Sequence, residues 1–406
     1  MRLAKIHFPE IIVDIFLVVF FSLVFALNLK ININDQYLAL SQSFLEGKLY
    51  FPDGYKEMDL VLYDSKHYWH QGPLPAVILM PFVFVFDIVG LNFKQGYLQF
   101  FISLGIFILC YKIARYFKFG GENSRYLAYA FCFASVFQFI AFFSVSWFFG
   151  QEISVFFMLL AIYIYLFYRK HFLTGVLLSL VLATRAFTIL GLAFFVFDIL
   201  YSKSSLKNKI RDLFYLLLPI GFAGVLLLIY NFVRFESFFE TGYLINNPTL
   251  PVGDPLFGIR YLRNNFYTYF LKGLQVYILN NKQVVLGGIT LNIPHLVAYP
   301  STSFFVVSPV FFYLLKVKIK NKLVKSSLLA SIIILLALLL FYYSGEDYQL
   351  GPRYLLDLLP FAFIMLLFSF RKQNVSTFAK TLIIFSSLFN LYLFIARMIG
   401  NAQMFV

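Results

Sequence analysis

The 406 residues would suit two or three soluble domains, but 61% of them are apolar, 13% are charged and the mean hydropathy is +0.81. Soluble chains run nearer half apolar and a quarter charged, so most of this chain is made for lipid, which excludes a cytosolic enzyme, a secreted enzyme and a disordered scaffold. The net charge of +14 belongs, in such a chain, to cytoplasmic loops before nucleic acid. The two cysteines, Cys110 and Cys132, lie inside apolar runs without metal-ligand spacing, so neither a disulfide framework nor a zinc site is expected.

A helix needs about 20 apolar residues to cross the hydrocarbon, because its backbone groups must be satisfied within the segment. Residues 11–27 meet that length. They follow Arg2 and Lys5, and no small-residue cleavage site comes after them, so they read as an anchor with a cytoplasmic N-terminus and not as a signal peptide. Polar sequence then runs from Lys30 to Gly72. The apolar run 73–89 is short for a span. Were it to cross, the basic cluster Lys112, Arg115, Lys118 and Arg125 would fall outside. It is therefore expected to lie in the interface or to re-enter, which returns that cluster to the cytoplasm.

With that choice the remaining apolar runs alternate: 97–117, 126–143, 153–168, a short pair 172–186 and 187–201, then 213–232, 300–315, 326–343, 354–370 and 381–399. Arg169-Lys170, the group Lys203 to Arg211, the run Lys316 to Lys325, and Arg371, Lys372 and Lys380 all then face the cytoplasm, which collects most of the 33 Lys and Arg. Most of the 19 acids, Glu346 and Asp347 among them, fall on the outer side. The expected architecture is an all-α polytopic membrane protein of about eleven spans. It is one membrane domain over 1–406, with two long extracytoplasmic loops at 30–96 and 233–300. Both loops mix aromatics, charges and short apolar stretches, as membrane-lying helices do, and long loops of this kind usually carry function.

Candidate chemistry gathers on that outer face. Asp35 ends the first span and opens an amphipathic helix from Gln36 to Glu46 that stops at Gly47. A carboxylate at this water–lipid boundary can take a proton from a hydroxyl while a lipid-carried partner arrives from the bilayer; the plainer alternative is a helix cap. Downstream, Lys66, His67 and His70 can bind a phosphate, and Tyr68 and Trp69 suit a sugar face or the aromatic belt; Gln71 completes the patch. His67 and His70 also have ligand spacing, but no third ligand is evident. Glu152, at the outer start of a span, is either a second acid opposite Asp35 or a carboxylate made comfortable by the helix dipole. Arg185 and Arg353 are ionisable groups at membrane depth, which cost at least about 2.5 kcal/mol and so are functional candidates; the alternative for each is snorkelling to the headgroups.

These residues carry a resemblance. Asp35-Gln36-Tyr37, the stretch Leu45 to Tyr50 with Gly47, the stretch Tyr68 to Pro75, Gln151-Glu152, Gly175 with Ala183-Thr184-Arg185, the stretch Tyr230 to Tyr243, and Gly351-Pro352-Arg353-Tyr354 with Leu359-Pro360 occur in that order. Together they resemble the C-type (GT-C) superfamily of membrane glycosyltransferases that use polyprenyl-phosphate sugars, and are similar to the protein O-mannosyltransferases and the lipid A aminoarabinose transferases. Here the family's acidic pair is reduced to Asp35-Gln36, and Gly72-Pro73-Leu74 stands for its Pro-Pro-Leu. The resemblance implies a GT-C-like fold with juxtamembrane helices in the first outer loop. It implies inverting transfer of a sugar from polyprenyl phosphate to a hydroxyl of a glycan, lipid or protein, with Asp35 as general base. Arg353 would hold the donor phosphate, with Arg185, Arg260 or Arg263 in support. No nucleotide and no resident cofactor is implied, and a divalent metal is not clearly required. The resemblance implies a bacterial inner membrane as the setting, with the site outside. Two other readings compete. A flippase or transporter predicts charges deep in several spans, for which Asp14 and Asp198 are the awkward residues; an O-antigen polymerase or ligase would not need Asp35.

Overall fold

The computed structural model describes residues 11–30, 34–245, 254–274, 276–286, 289–298, 302–344, 350–370 and 374–400. The basic residues Arg2, Lys5, Arg371 and Lys372 and the acids Glu346 and Asp347 lie outside them. In chain order the elements are α1 (Ile11–Lys30), α2 (Gln36–Leu45), strands β1 (Val61–Tyr63) and β2 (Lys66–Tyr68), α3 (Leu74–Ile88), α4 (Gln95–Tyr116), α5 (Gly121–Phe133), α6 (Phe137–Phe142), α7 (Ser146–Tyr168), α8 (His171–Leu182), α9 (Ala186–Ile189), α10 (Leu192–Leu200) and α11 (Leu206–Phe235). A 3-10 turn (Ile259–Tyr261), α12 (Leu262–Phe266), strands β3 (Val276–Leu286) and β4 (Ile289–Ala298) and α13 (Phe304–Val307) follow. A 3-10 helix (Pro309–Lys316), α14 (Lys322–Leu340), a 3-10 helix (Arg353–Asp357), α15 (Leu359–Ser369) and α16 (Thr377–Gly400) complete the chain. Six of these helices, α1, α4, α7, α11, α14 and α16, are long and apolar enough to cross a membrane.

Polar contacts sort the helix ends into two groups. At one end Arg125 in α5 meets Asp14 in the first turn of α1 (2.9 Å), and Glu122 meets Lys380 in α16 (2.5 Å). The buried Asp198 in α10 takes the Tyr165 hydroxyl of α7 (2.7 Å), Arg169 just past α7 (3.1 Å) and Lys322 at the start of α14 (3.0 Å). At the other end Asn28 of α1 donates to the Ala141 carbonyl of α6 (2.8 Å), and Gln95, opening α4, donates to the Ser144 carbonyl. There too the Leu74 amide, opening α3, donates to the carbonyl of Ala183 after α8 (3.1 Å), and Asn265 of α12 donates to the Phe341 carbonyl after α14 (2.7 Å). The chain passes between these ends as α1, α4, α5–α6, α7, α8, α9–α10, α11, α13 with its 3-10 helix, α14, the 3-10 turn with α15, and α16. Besides the six long helices, this order uses shorter apolar helices, α8, α9 with α10, and α15. Asp14 and Asp198 are both paired with basic residues at one end, so neither lines a path through the bundle.

The run at 73–89 behaves as expected from the charge argument. α3 starts beside Ala183, and the chain is back at the same end by Lys94, whose ammonium donates to the Leu29 carbonyl (3.2 Å). Its Val77, Phe84, Val85 and Ile88 point away from the protein, an apolar face suited to the acyl boundary. The second outer loop departs from expectation. Where membrane-lying helices were expected, β3 and β4 pair antiparallel from Val276↔Ala298 to Leu286↔Ile289, with a register shift between Leu279 and Lys282. Two apolar runs around Gly287-Gly288 are a hairpin signal, and β-branched residues fill both.

Between helices in lipid there is little hydrophobic drive, so close van der Waals contact and small residues hold them. Gly175 of α8 lies against the Leu216 carbonyl of α11, where a Cβ would collide. Aromatic edges fill the interior: Phe20 meets Tyr129 at 5.7 Å and 84°, and Phe139, Phe142 and Phe143 each meet Phe394. α7 is the most enclosed of the long helices and α11 the least.

Candidate functional site

Asn34 takes a left-handed turn (φ 53°) out of α1, and Asp35 then opens α2. Its carbonyl accepts from the amides of Leu38 (2.8 Å) and Ala39 (3.2 Å), but its carboxylate makes no capping bond. Gln36 donates to the Met58 carbonyl (3.1 Å) and so draws the segment 55–58 across this carboxylate. Tyr55, stacked on Phe51 at 4.8 Å, directs its hydroxyl to Asp35 Oδ1 at 3.5 Å. Burial pushes the Tyr55 phenol up, and the charges of Asp35 and Glu57 add to it. The Glu57 carboxyl is likewise raised, by burial and then by Asp35. Glu57 is thus an acid of the first outer loop that feels the charge of Asp35.

Glu152, expected as a second acid opposite Asp35, turns into the bundle. It is wholly buried in α7, and one oxygen takes the Ser103 hydroxyl of α4. Its helix turns it inward, and the neighbouring Gln151 is the residue that reaches the outer site, donating to the Arg353 carbonyl (2.7 Å).

The patch from Lys66 to Gln71 divides in the same way. β1 and β2 form a tight hairpin with Leu62 opposite His67, turned by Asp64 and Ser65, both left-handed (φ 46° and 60°), as two-residue hairpin turns require. Lys66 is exposed over the Tyr50 ring (4.9 Å), and the His67 carbonyl accepts from the Phe51 amide (2.9 Å). Tyr68 is buried between Tyr50 and Phe235. Trp69 is wholly buried against Tyr37 (5.7 Å), His70 (4.9 Å) and Trp147 (6.2 Å). Neither ring faces a sugar or the membrane belt; both pack the loop, because the hairpin folds back on α2 and α11. Arg234, closing α11, locks this fold by donating to the Trp69 carbonyl (2.6 Å) and the Asn231 side chain (2.8 Å) over the Tyr230 ring. His70 packs on Tyr243 (4.6 Å) with Nδ1 3.2 Å from the Asp59 carbonyl oxygen. Burial holds its imidazole down at about 4, against an opposing pull from Asp59 and with help from Arg234.

Gln71 and Tyr37 tie the patch to the arginines. The Tyr37 hydroxyl donates to Gln71 Oε1 (3.2 Å), and its amide donates to the Ser146 hydroxyl at the start of α7 (3.1 Å). Burial pushes the Tyr37 phenol up, with Trp69 and the Arg185 guanidinium pulling the other way. Gly72 lies against the Ala183 and Thr184 carbonyls, where any Cβ would collide, so the first loop sits directly on the link that carries Arg185. Arg185 Nε donates to both oxygens of Asp357 (2.9 and 3.0 Å), and Thr188 donates to the same carboxylate (2.6 Å). The Arg185 guanidinium lies 4.9 Å from the centre of the Tyr354 ring, and that of Arg353 lies 5.1 Å from the same ring and 5.3 Å from Phe148. The contacts thus close a circuit from α2 through Tyr37, Gln71 and Gly72 to Arg185, Asp357 and Arg353, and back through Gln151 to α7.

Arg260 and Arg263 are outside it. Arg260 pairs with Asp254 (2.8 Å) and is half-exposed, and Arg263 is on the exposed side of α12. The sequence reading gave no site role to Glu57, Arg234 or Asp357, although Arg234 lies in the stretch Tyr230 to Tyr243. Asp357 had a visible signal, a carboxylate inside the apolar run 354–370. Among the described residues no group of three or more His, Cys, Asp or Glu converges as a metal site would require.

No family model matches the chain, and no curated protein matches it. Among solved structures, the apo form of the Archaeoglobus fulgidus oligosaccharyltransferase aligns over 95% of this chain and 55% of that chain, at 11% identity and a TM-score of 0.38. This chain thus spans about half the length of the structure it matches.

Proposed function

We propose that the protein is an inverting membrane glycosyltransferase that moves a sugar from a polyprenyl-phosphate donor to a hydroxyl on a glycan, lipid or protein, at the extracytoplasmic face of a bacterial inner membrane. The circuit that joins the Asp35 helix to two guanidinium groups from much later in the chain carries this reading. On this reading Asp35 is the base and Arg185 and Arg353 are the phosphate-binding pair, at one end of the bundle where a lipid-linked donor and a water-borne acceptor can meet.

In this mechanism the acceptor hydroxyl gives its proton to Asp35 while its oxygen bonds to the anomeric carbon. The bond from that carbon to the phosphate oxygen breaks, and its electron pair leaves on the phosphate. Arg353 and Arg185 meet the charge that develops there, since planar guanidinium groups match phosphate oxygens. No nucleotide or other resident cofactor enters the step. Tyr55 and Glu57 border the base, and Glu57 shares its local negative field. The transporter alternative is not favoured, because Asp14 and Asp198 are closed into ion pairs.

Asp35→Asn keeps the shape of the side chain and removes the base. Sugar transfer from a polyprenyl-phosphate sugar, followed in membranes with radiolabelled donor, should fall by about a hundredfold or more, within the range general bases contribute, while expression and folding persist. Full activity of the variant would remove the mechanism.

A further inference from the structure

The segment Ile259–Leu271 turns the usual arrangement of a loop helix inside out. It runs as the 3-10 turn, α12 and a π turn (Tyr267–Leu271). A helix between a protein core and water hides its apolar side and shows its polar one. Here the hidden side chains are Asn265, Thr268 and Tyr269, with Lys272 just beyond, while Ile259 (82% exposed), Leu262, Phe266 and Leu271 lie open. Ile259, Leu262 and Phe266 are spaced by three and four and so share one side. Arg260, Arg263 and Asn264 are exposed on the next side round. Side chains ordered in this way call for three surroundings: protein against the polar side, an apolar medium against the second, and headgroups or water against the third.

Backbone contacts fix the depth of the segment. The Gly258 amide donates to the Leu340 carbonyl (2.8 Å), and the Tyr342 amide donates to the Leu256 carbonyl (2.9 Å). The Asn265 amide group donates to the carbonyls of Leu338 (3.2 Å), Leu339 (3.1 Å) and Phe341 (2.7 Å). The segment thereby satisfies the last carbonyls of α14, which a helix cannot satisfy within itself. Since α14 is long and apolar enough to cross a membrane, its end marks the level where hydrocarbon gives way to headgroups. α14 itself exposes Ile332 and Leu336, so the open apolar side of the segment extends a surface that α14 already offers to lipid. Arg260 and Arg263 fit the same level, because arginines lay their stems along apolar surface and keep their charge among polar groups.

We propose that Ile259–Leu271 is an interfacial anchor that holds the second outer loop to the bilayer surface. Ile259, Leu262 and Phe266 enter the acyl region, and Arg260 and Arg263 face the lipid headgroups, as in other helices that lie in the membrane plane. This role does not rest on the transferase reading.

The test places one nitroxide label at a time on the full-length protein in vesicles of phosphatidylcholine and phosphatidylglycerol. The labels go on Ile259→Cys, Leu262→Cys, Phe266→Cys and Asn264→Cys, with Ser65→Cys as the reference in water, all in a background lacking Cys110 and Cys132. All five labelled positions are exposed, so the labels add bulk where nothing is packed. Collisions with oxygen, which concentrates among acyl chains, and with a water-soluble nickel chelate are read by paramagnetic resonance. Oxygen collisions should exceed nickel collisions at 259, 262 and 266, and the order should reverse at 264 and 65. Nickel collisions at 262 and 266 as frequent as at 65 would place the segment in water and overturn the proposal. Shielding of 262 and 266 from both reagents would also overturn it, because protein would then cover the face; spin–spin broadening would identify that protein as a second copy of the chain. The readout does not use sugar transfer, so a failure here leaves the transferase reading where it stands.

Discussion

Arg353 presents its guanidinium between the rings of Phe148 and Tyr354 while its backbone is held by Gln151, so truncating the side chain leaves its anchor in place. Arg353→Ala should therefore weaken the donor by about tenfold to a hundredfold, the worth of a charge-assisted bond, with the acceptor affected less; separate binding curves for donor and acceptor would show it, and equal losses would argue against a phosphate role. His70 makes a different prediction. Its folded imidazole titrates near 4, below the ordinary value of about 6.5, so between those values the unfolded chain binds a proton that the folded chain does not. Stability should fall as pH drops from about 6.5 toward 4 and be flat above that window. Melting curves across this range should show the slope, and His70→Gln, which cannot titrate, should flatten it. At this scale the sequence makes Arg185 and Arg353 candidates because charges stand out in apolar runs. It did not show Asp357 with Arg185, or Glu57 with Asp35, because those pairs join residues that only folding brings together. Trp69 and Tyr68 misled for the same reason: an aromatic beside histidines looks like a binding face until the hairpin buries it.

Helices were legible because the demand to satisfy backbone groups in lipid leaves few alternatives. Even the short pair at 172–186 and 187–201 appears, as α8 and then α9 with α10. The crossing of α8 on α11 depends on one small residue, and Gly175→Ala should push the Leu216 carbonyl away. A cost of about 1–3 kcal/mol is expected from overpacking of this kind, seen as a lower melting temperature in detergent; an unchanged melting temperature would mean the crossing has slack. Strands were the weak point. A three-residue strand such as β1 has no periodicity to read, and the apolar runs of β3 and β4 are too short to separate from helix without weighing their β-branched content.

For the whole molecule, the orientation rests on the count of basic residues, and the contacts of Asp14, Glu122 and Asp198 gather those residues at one end of the bundle. A single cysteine placed at the exposed Ser65, in a background lacking Cys110 and Cys132, should react with an impermeant thiol reagent from outside intact cells. Reaction only after lysis would invert the molecule. Composition by itself determined that this chain is an all-α membrane protein and where its long apolar helices fall, because hydration costs act on each segment independently of the rest. Which side chains meet was decided only in three dimensions. The pairing of Arg185 with Asp357, the inward turn of Glu152 and the closing of the first loop onto Ala183 depend on helix rotation and on close approach at Gly72. Neither can be read from a segment that does not yet know its neighbours.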